Sequence, residues 1–241
     1  MSKKRKEPLG YVLDDAPSTI NGLRVITILL PPKGNRKIGA MWQTFHLLAD
    51  VAPHDAVKTG ADAAVCGACP LRPIAIKAAK ALGEKITPCY VVTFQAPLMI
   101  YRAWLRGAYE PITPEAARIL LSGSDLRLGA YGDPASVRFS VWQRLGVGSG
   151  EFRHTGYTHA WLVDGFDDRQ LGLLMASVDP ISAELADRLP SSARTYRIVA
   201  SVDDIRADEV QCPYQTRGVQ CADCGLCDGG RKAKNVAALA H

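Results

Sequence analysis

The seven cysteines of this chain fall into two groups, each spaced as the ligands of a single centre are spaced. Cys66-Gly-Ala-Cys69 is followed by Cys89, and Cys212 by Cys221-Ala-Asp-Cys224-Gly-Leu-Cys227. A C-x-x-C pair lets two thiolates reach one ion from a tight turn, and a C-x-x-C-x-x-C run adds a third without a long excursion. Thiolates held this closely repel one another or oxidise unless a cation or cluster binds them. Isolated cysteines read as ordinary buried thiols, but two grouped sets read as metal ligands. Whatever fold the chain takes must close both groups.

Composition bears on where such chemistry would sit. The chain has 241 residues, 47% of them hydrophobic, enough for a core that needs no metal to replace it. We expect a flexible basic arm over residues 1–22 and a single α/β metal-binding domain over 23–241. No apolar run approaches the roughly 20 residues of a membrane span. The basic start Met1–Lys6 has no apolar stretch after it, so a secretory leader is not expected. A cytoplasmic setting follows, where cysteine patterns more often signify metal or catalysis than disulfides. Lys3, Lys4, Arg5 and Lys6 supply most of the net charge of +5. The body carries no basic stripe with interleaved aromatics, so any nucleic-acid contact would fall to the arm.

Hydrophobic periodicity outlines the elements. Leu23–Leu30 is Val/Ile/Leu-rich and reads as a buried strand, and Met41–Leu48 as strand or helix. Pro70–Leu82, Pro97–Arg106 and Pro114–Leu121 read as helices with Pro near the start and Gly beyond the end. Cys89–Phe94 is short and β-prone. Further strands are expected at Asp125–Tyr131, Tyr157–Val163, Gly172–Val178 and Arg194–Val202, with helices running to about Leu145 and Leu189. Alternating strands and helices predict a mainly parallel α/β sheet. The expected form is an irregular or partial β/α barrel with cysteine-bearing loop insertions, and an open doubly wound sheet is the alternative.

Within these strands one face is apolar and the other polar. Arg127, Gly129, Tyr131 and Asp133 share a side, as do Tyr157, His159 and Trp161; Met175, Ser177 and Asp179; and Thr195, Arg197, Ser201 and Asp203. A parallel sheet covered on both faces reads instead as continuous apolar residues. The polar face is either solvated under short loops or lines a cavity at the carboxyl ends of the strands, where such folds place ligands. On the second reading Asp133 and His159 are candidate catalytic groups, His159 as proton carrier. Tyr157, Asp179 and Arg197 are candidates for holding a cofactor.

Cys212, Cys221, Cys224 and Cys227 can fill a tetrahedral zinc site or hold a [4Fe–4S] cluster. The interleaved run and Pro213 after Cys212 favour iron, since zinc ribbons usually pair two separate knuckles. Cys66, Cys69 and Cys89 offer three thiolates. Either His46, His54, His154 or His159 completes a Cys3His zinc site, or one iron of a [4Fe–4S] cluster keeps an open position. The expected cofactors are therefore one or two [4Fe–4S] clusters, with zinc as the alternative.

Val65-Cys-Gly-Ala-Cys-Pro-Leu-Arg72, Pro88-Cys-Tyr-Val91, Arg127-Leu-Gly-Ala-Tyr-Gly-Asp-Pro134, Thr155-Gly-Tyr-Thr-His159 and Leu174-Met-Ala-Ser-Val-Asp179, together with the terminal cysteine run, resemble a cysteine-rich family of unknown function encoded by phages and prophages. The resemblance extends from about residue 22 to the end. It implies a phage source, and hence a host cytoplasm, but no activity. More distantly the chain resembles radical S-adenosylmethionine enzymes, which are partial β/α barrels with three cysteines after the first strand and a Gly-Gly-Glu-Pro-like strand end. Tyr131-Gly132-Asp133-Pro134 matches that strand end in kind. Cys66-x2-Cys69-x19-Cys89 departs from their compact C-x3-C-x2-C, so the resemblance implies fold and cluster rather than cofactor cleavage.

No phosphate-cradling Gly-rich loop with Lys-Ser/Thr, nucleophile elbow or H-E-x-x-H is present. Gly146, Gly148 and Gly150 open no helix, which argues against dinucleotide binding. The leading expectation is an iron–sulfur redox or radical-type enzyme acting on an unidentified small molecule. The alternative is a zinc-stapled, nucleic-acid-associated binding module without catalysis.

Overall fold

The computed structural model describes residues 8–81, 88–180 and 182–240. In chain order the elements are β1 (Tyr11–Pro17), β2 (Arg24–Leu30), β3 (Met41–Leu48), α1 (Pro53–Thr59), α2 (Ala63–Cys66), α3 (Pro73–Ala81), α4 (Ala96–Leu105), β4 (Glu110–Pro111), α5 (Pro114–Leu120), β5 (Asp125–Tyr131), α6 (Phe139–Leu145), β6 (His154–Thr155), β7 (Tyr157–Thr158), β8 (Met175–Val178), β9 (Thr195–Val199), β10 (Glu209–Gln211), α7 (Pro213–Arg217), α8 (Cys221–Cys224) and β11 (Asn235–Leu239).

The strands form two sheets, of order β4-β1-β2-β3-β5-β6 and β10-β11-β9-β8-β7. β2 is antiparallel to both β1 and β3, whereas β1–β4, β3–β5, β5–β6, β7–β8, β8–β9, β9–β11 and β10–β11 are parallel. Gly156 alone separates β6 from β7, so one sheet passes almost directly into the other. The protein is thus a mixed α/β structure with two sheets, and among the described residues no closed barrel forms. Nor is any described helix long and apolar enough to cross a membrane.

Both faces of the first sheet are covered. On one, Leu13, Leu29, Leu126 and Leu128 pack with Ala117 and Leu121 at α5 and with Val141, Trp142 and Leu145 of α6. On the other, Ile26, Ile28, Phe45, Leu47 and Tyr131 pack with Ala56, Ala64, Val65 and Ile100 from α1, α2 and α4. The second sheet has a thinner core. One face carries Met175, Val236 and Ala238 with Cys212 and Cys227, and the other packs Trp161, Leu171, Ala176 and Val178 beneath the 3-10 turn at Ala183–Arg188.

Several expectations are corrected. Residues 11–17, expected in a loose arm, form β1 against the length of β2; residues 1–7 lie outside the described residues. The ends of the Pro70–Leu82 helix shift, since α3 starts at Pro73 and Leu82 is outside the described residues. Cys89–Phe94 is not a strand. Tyr157–Val163 keeps strand geometry only for two residues before a 3-10 turn at Ala160–Leu162, because Asp133 binds the chain there, as shown below. The stretch before Leu189 is 3-10 rather than α-helical.

Two glycines are required by close backbone approach. Gly132 has φ +78°, and a Cβ there would lie 2.8 Å from the His46 carbonyl oxygen. At Gly229 a Cβ would stand 2.4 Å from Leu174 O and 2.5 Å from Leu174 N, where the C-terminal loop lies against the start of β8. Backbone cannot yield as a flexible side chain can. Gly229→Ala is therefore expected to destabilise the protein by about 2–3 kcal/mol, as overpacking does. A urea midpoint unchanged from wild type would show that the loop has room to shift.

Candidate metal centres

The first cysteine set is built on a loop that follows the antiparallel strands. α2 ends at Cys66, Gly67 turns the chain at φ +57°, and the Cys69 N–H donates to the Cys66 carbonyl over 3.1 Å. Cys89 returns to the same turn because its N–H donates to the Leu71 carbonyl at 3.0 Å. Arg72 holds the loop. Its guanidinium grips both oxygens of buried Asp62 at 2.7 and 3.0 Å and also donates to the carbonyls of Gly67 at 2.9 Å and Gly60 at 2.8 Å. Burial pushes the Cys66 thiol well up, and the nearby charges of Cys69, Asp62, Cys89 and Asp133 push it further. Cys89 is exposed as a residue, yet partial burial of its thiol raises it also.

His159 is the histidine that reaches this set. It lies just beyond the carboxyl end of β7, its Nε2 is 3.3 Å from Asp179 Oδ2 at the carboxyl end of β8, and its ring hydrogen-bonds the Cys69 thiol. Burial alone would lower its pKa, but the bonds to Asp179 and Cys69 outweigh that and raise it to about 10. The other candidates lie elsewhere. His46 is a core residue between the Thr27 and Thr44 hydroxyls, at 3.1 and 3.2 Å, and burial lowers it to about 3. His154 is bound to the Leu173 carbonyl, and His54 packs edge-on against Phe94.

Asp133 joins the two halves of this site. Its backbone N–H donates to the Val65 carbonyl at 2.5 Å, next to Cys66. Its Oδ2 accepts from the Thr158 hydroxyl at 3.0 Å, from His159 N at 2.7 Å and from Ala160 N at 3.1 Å, and its Oδ1 accepts from Ala135 N at 2.9 Å. Burial nevertheless raises its pKa. Through these bonds Asp133 holds the backbone of His159 in place.

The second set covers one face of the second sheet. Cys212 caps α7 and donates its N–H to the Ala237 carbonyl of β11 at 2.8 Å. Cys221 and Cys224 bound the single turn of α8, whose start is fastened to the 35–39 loop by Cys221 N to Lys37 O and Ala222 N to Ile38 O, both 3.0 Å. The Cys227 carbonyl accepts from Gly156 N at 3.0 Å, and Tyr157 hydrogen-bonds its sulfur. Burial, with the charges of Cys221, Cys212 and Cys224, pushes the Cys227 thiol up to about 12. A buried arginine braces this loop too: Arg194 donates to the carbonyls of Leu226 at 2.7 Å, Asp228 at 2.5 Å, Ala233 at 3.2 Å, and Lys234.

All seven cysteines are free thiols. Each set is drawn together, yet among the described residues no three His, Cys, Asp or Glu side chains form a group that could hold a metal ion.

Of the polar residues expected on a common face, Asp133, His159 and Asp179 do meet near Cys66 and Cys69. Tyr157 belongs to the other set, with its ring 4.6 Å from that of Tyr196. Arg197 is not brought to either set. It lies one register position from Tyr196, opposite Val178, and forms an ion pair with buried Glu209 at 2.6 Å. Ser201 and Asp203 fall beyond β9 in a capped 3-10 turn. A cavity of about 300 Å³ lies behind this region, lined by Ala135, Arg138, Phe139, Ala160 and Gln170 among others, and contains neither a cysteine nor His159. Arg72 and Arg194 were not foreseen as loop anchors; the only signal for Arg72 is its place in Cys-Pro-Leu-Arg.

No protein-family model, no curated protein and no solved structure matches this chain.

Proposed function

We propose that the chain is a two-centre iron–sulfur protein of phage type, with a reactive centre at Cys66, Cys69 and Cys89 and a bracing centre at Cys212, Cys221, Cys224 and Cys227. The observation that carries this reading is the convergence of the first three cysteines, separated by up to 23 positions, with His159 and Asp179. These groups stand at the carboxyl ends of parallel strands. β3, β5 and β6 run parallel side by side in one sheet and β7, β8 and β9 in the other, and we read the two runs, joined at Gly156, as an arc of a partial β/α barrel. Such folds keep their chemistry at that edge.

The donors fit. Burial raises the thiols of Cys66 and Cys89 in the first set and of Cys221 and Cys227 in the second, and a bound cation would stabilise them as thiolates. A cluster bound at the first set would supply one-electron chemistry next to any substrate docked at the strand ends. The protein's own share is clearer. His159 holds a proton between Asp179 and Cys69, Asp133 fixes the backbone of His159, and Arg72 fixes the loop. The substrate we expect is a small molecule, in the cytoplasm of a host cell.

Zinc is the second reading, favoured by one observation. Asp179 behind His159 forms the carboxylate–histidine arrangement that orients imidazole ligands of zinc, and His159 would complete a Cys3His set. Protein prepared anaerobically from iron-replete cells distinguishes the two. We expect iron and labile sulfide on analysis and a broad absorption near ~400 nm that dithionite bleaches. Colourless protein with stoichiometric zinc and no sulfide would establish the zinc reading, and protein without either metal would end both.

A further inference from the structure

The Tyr131 side chain ends β5 on the face that meets α2, and it is 5% exposed. It packs in the cluster that contains Val65 and Ile100, against which Cys66 and Val91 also lie. The next two residues hold it there: a Cβ on Gly132 would lie 3.3 Å from the Val65 carbonyl, and Asp133 N donates to that carbonyl. Its hydroxyl is buried and has no hydrogen-bond partner among the described residues. Buried hydroxyls are seldom left so, because the lost hydrogen bond to water is not replaced.

Cys66 packs against the same cluster as Tyr131, and the charged and titratable groups near enough to act on its hydroxyl are Cys66, Asp62, Cys89 and Arg72. Both oxygens of Asp62 are engaged by Arg72, and Arg72 is itself only a donor. The sulfurs remain. A neutral thiol is a weak acceptor, but a thiolate accepts a charge-assisted bond. We propose that Tyr131 is a positioning residue whose hydroxyl donates to a thiolate sulfur of the first centre when Cys66 and Cys89 bind a metal. This rests on reading that cysteine set as a metal centre, and it adds the group that stabilises the metal-bound thiolate.

Tyr131→Phe separates the possibilities, because its two effects should have opposite signs. Without added metal the variant should melt no lower than wild type, since it removes only an unpartnered hydroxyl. Its affinity for metal at the first centre should fall about 10–100-fold, the usual effect of losing an outer partner of a ligand. The measurement is an anaerobic Co²⁺ titration of the reduced full chain, followed by thiolate-to-cobalt absorption. The first centre is identified as the step that Cys89→Ala abolishes, and the other step should be unchanged in Tyr131→Phe. If Tyr131→Phe titrates as wild type at both steps, the proposal fails while the metal centres stand. A lowered melting temperature without metal would mean that the hydroxyl already has a protein partner, which also overturns it. If wild-type protein takes up no cobalt, the proposal and the metal reading fall together.

Discussion

Cys227→Ala is expected to leave the C-terminal half of this protein unable to hold its fold, whereas Cys89→Ala should still melt cooperatively. The difference lies in what each cysteine supports. Among the described residues, the face of the second sheet beneath Cys227 has five buried apolar residues, and two of them are Cys212 and Cys227. The others are one methionine, one valine and one alanine, a small amount of apolar surface to stabilise five short strands. The same loop carries the backbone bonds that tie β11, the β6–β7 junction and the 35–39 loop together. A filled four-thiolate site contributes on the order of 10 kcal/mol of folding energy, comparable with the whole net stability of a domain. Cys89 is exposed, and α2, which ends at Cys66, is already held by Arg72 and by the core of the first sheet. Its loss should cost metal at the first centre more than fold. Urea unfolding of the metal-loaded variants followed by circular dichroism is the check. A Cys227→Ala midpoint within experimental error of wild type would show that the second set braces nothing.

What could be read in the sequence was what local spacing encodes. The two cysteine groups were visible because C-x-x-C geometry is local. β2, β5 and β8 were visible because their apolar runs or alternation are strong, and α4 and α5 because Pro and Gly bracket them. Asp179 could be placed on the His159 face because β8 alternates regularly from Met175. The identity of the fourth ligand candidate was not readable. Four histidines were equal on spacing, and only the fold brings His159 to Cys69 while burying His46 between two threonines.

The misplacements follow from pairing between distant strands. Arg197 and Tyr196 alternate, and which of them faces Tyr157 depends on register: Tyr196 pairs with Ser177 and Arg197 with Val178. A shift of one residue exchanges the faces of a strand, and nothing within β9 decides it. β1 lay hidden in a polar, proline-containing segment because its bulge between Val12 and Asp14 breaks the alternation. β10 and β11 are too short to announce themselves and exist because each lies beside another parallel strand. The anchoring role of Arg194 consists of bonds to backbone carbonyls, which carry no sequence signature, and Arg72 adds to such bonds an ion pair with Asp62, ten positions away.

Asp133→Ala should destabilise the protein by about 3 kcal/mol, because it strands three of the four donors that the carboxylate now satisfies, Ala160 N keeping its bond to the Thr158 hydroxyl at 2.9 Å. Ala135 N, Thr158 Oγ and His159 N would face a site 8% exposed, where water reaches poorly. Asp133→Asn is the informative companion. Turned so that its one oxygen meets the three donors of the 158–160 turn, the amide loses only the bond to Ala135 N, and the cost should drop to about 1–2 kcal/mol. The consequence for the site follows from geometry. The 158–160 turn is what carries the His159 ring to Cys69 and Asp179, and the backbone bond from Asp133 to Val65 joins it to the Cys66 helix. Asp133→Ala protein that still folds should therefore lose metal from the first centre and retain it at the second, which Asp133 does not touch. Paired urea melts and metal counts on the two variants test both parts. Equal stability of Asp133→Ala and wild type would refute the keystone role. Equal metal loss from both centres would mean that Asp133 supports the whole sheet rather than one turn.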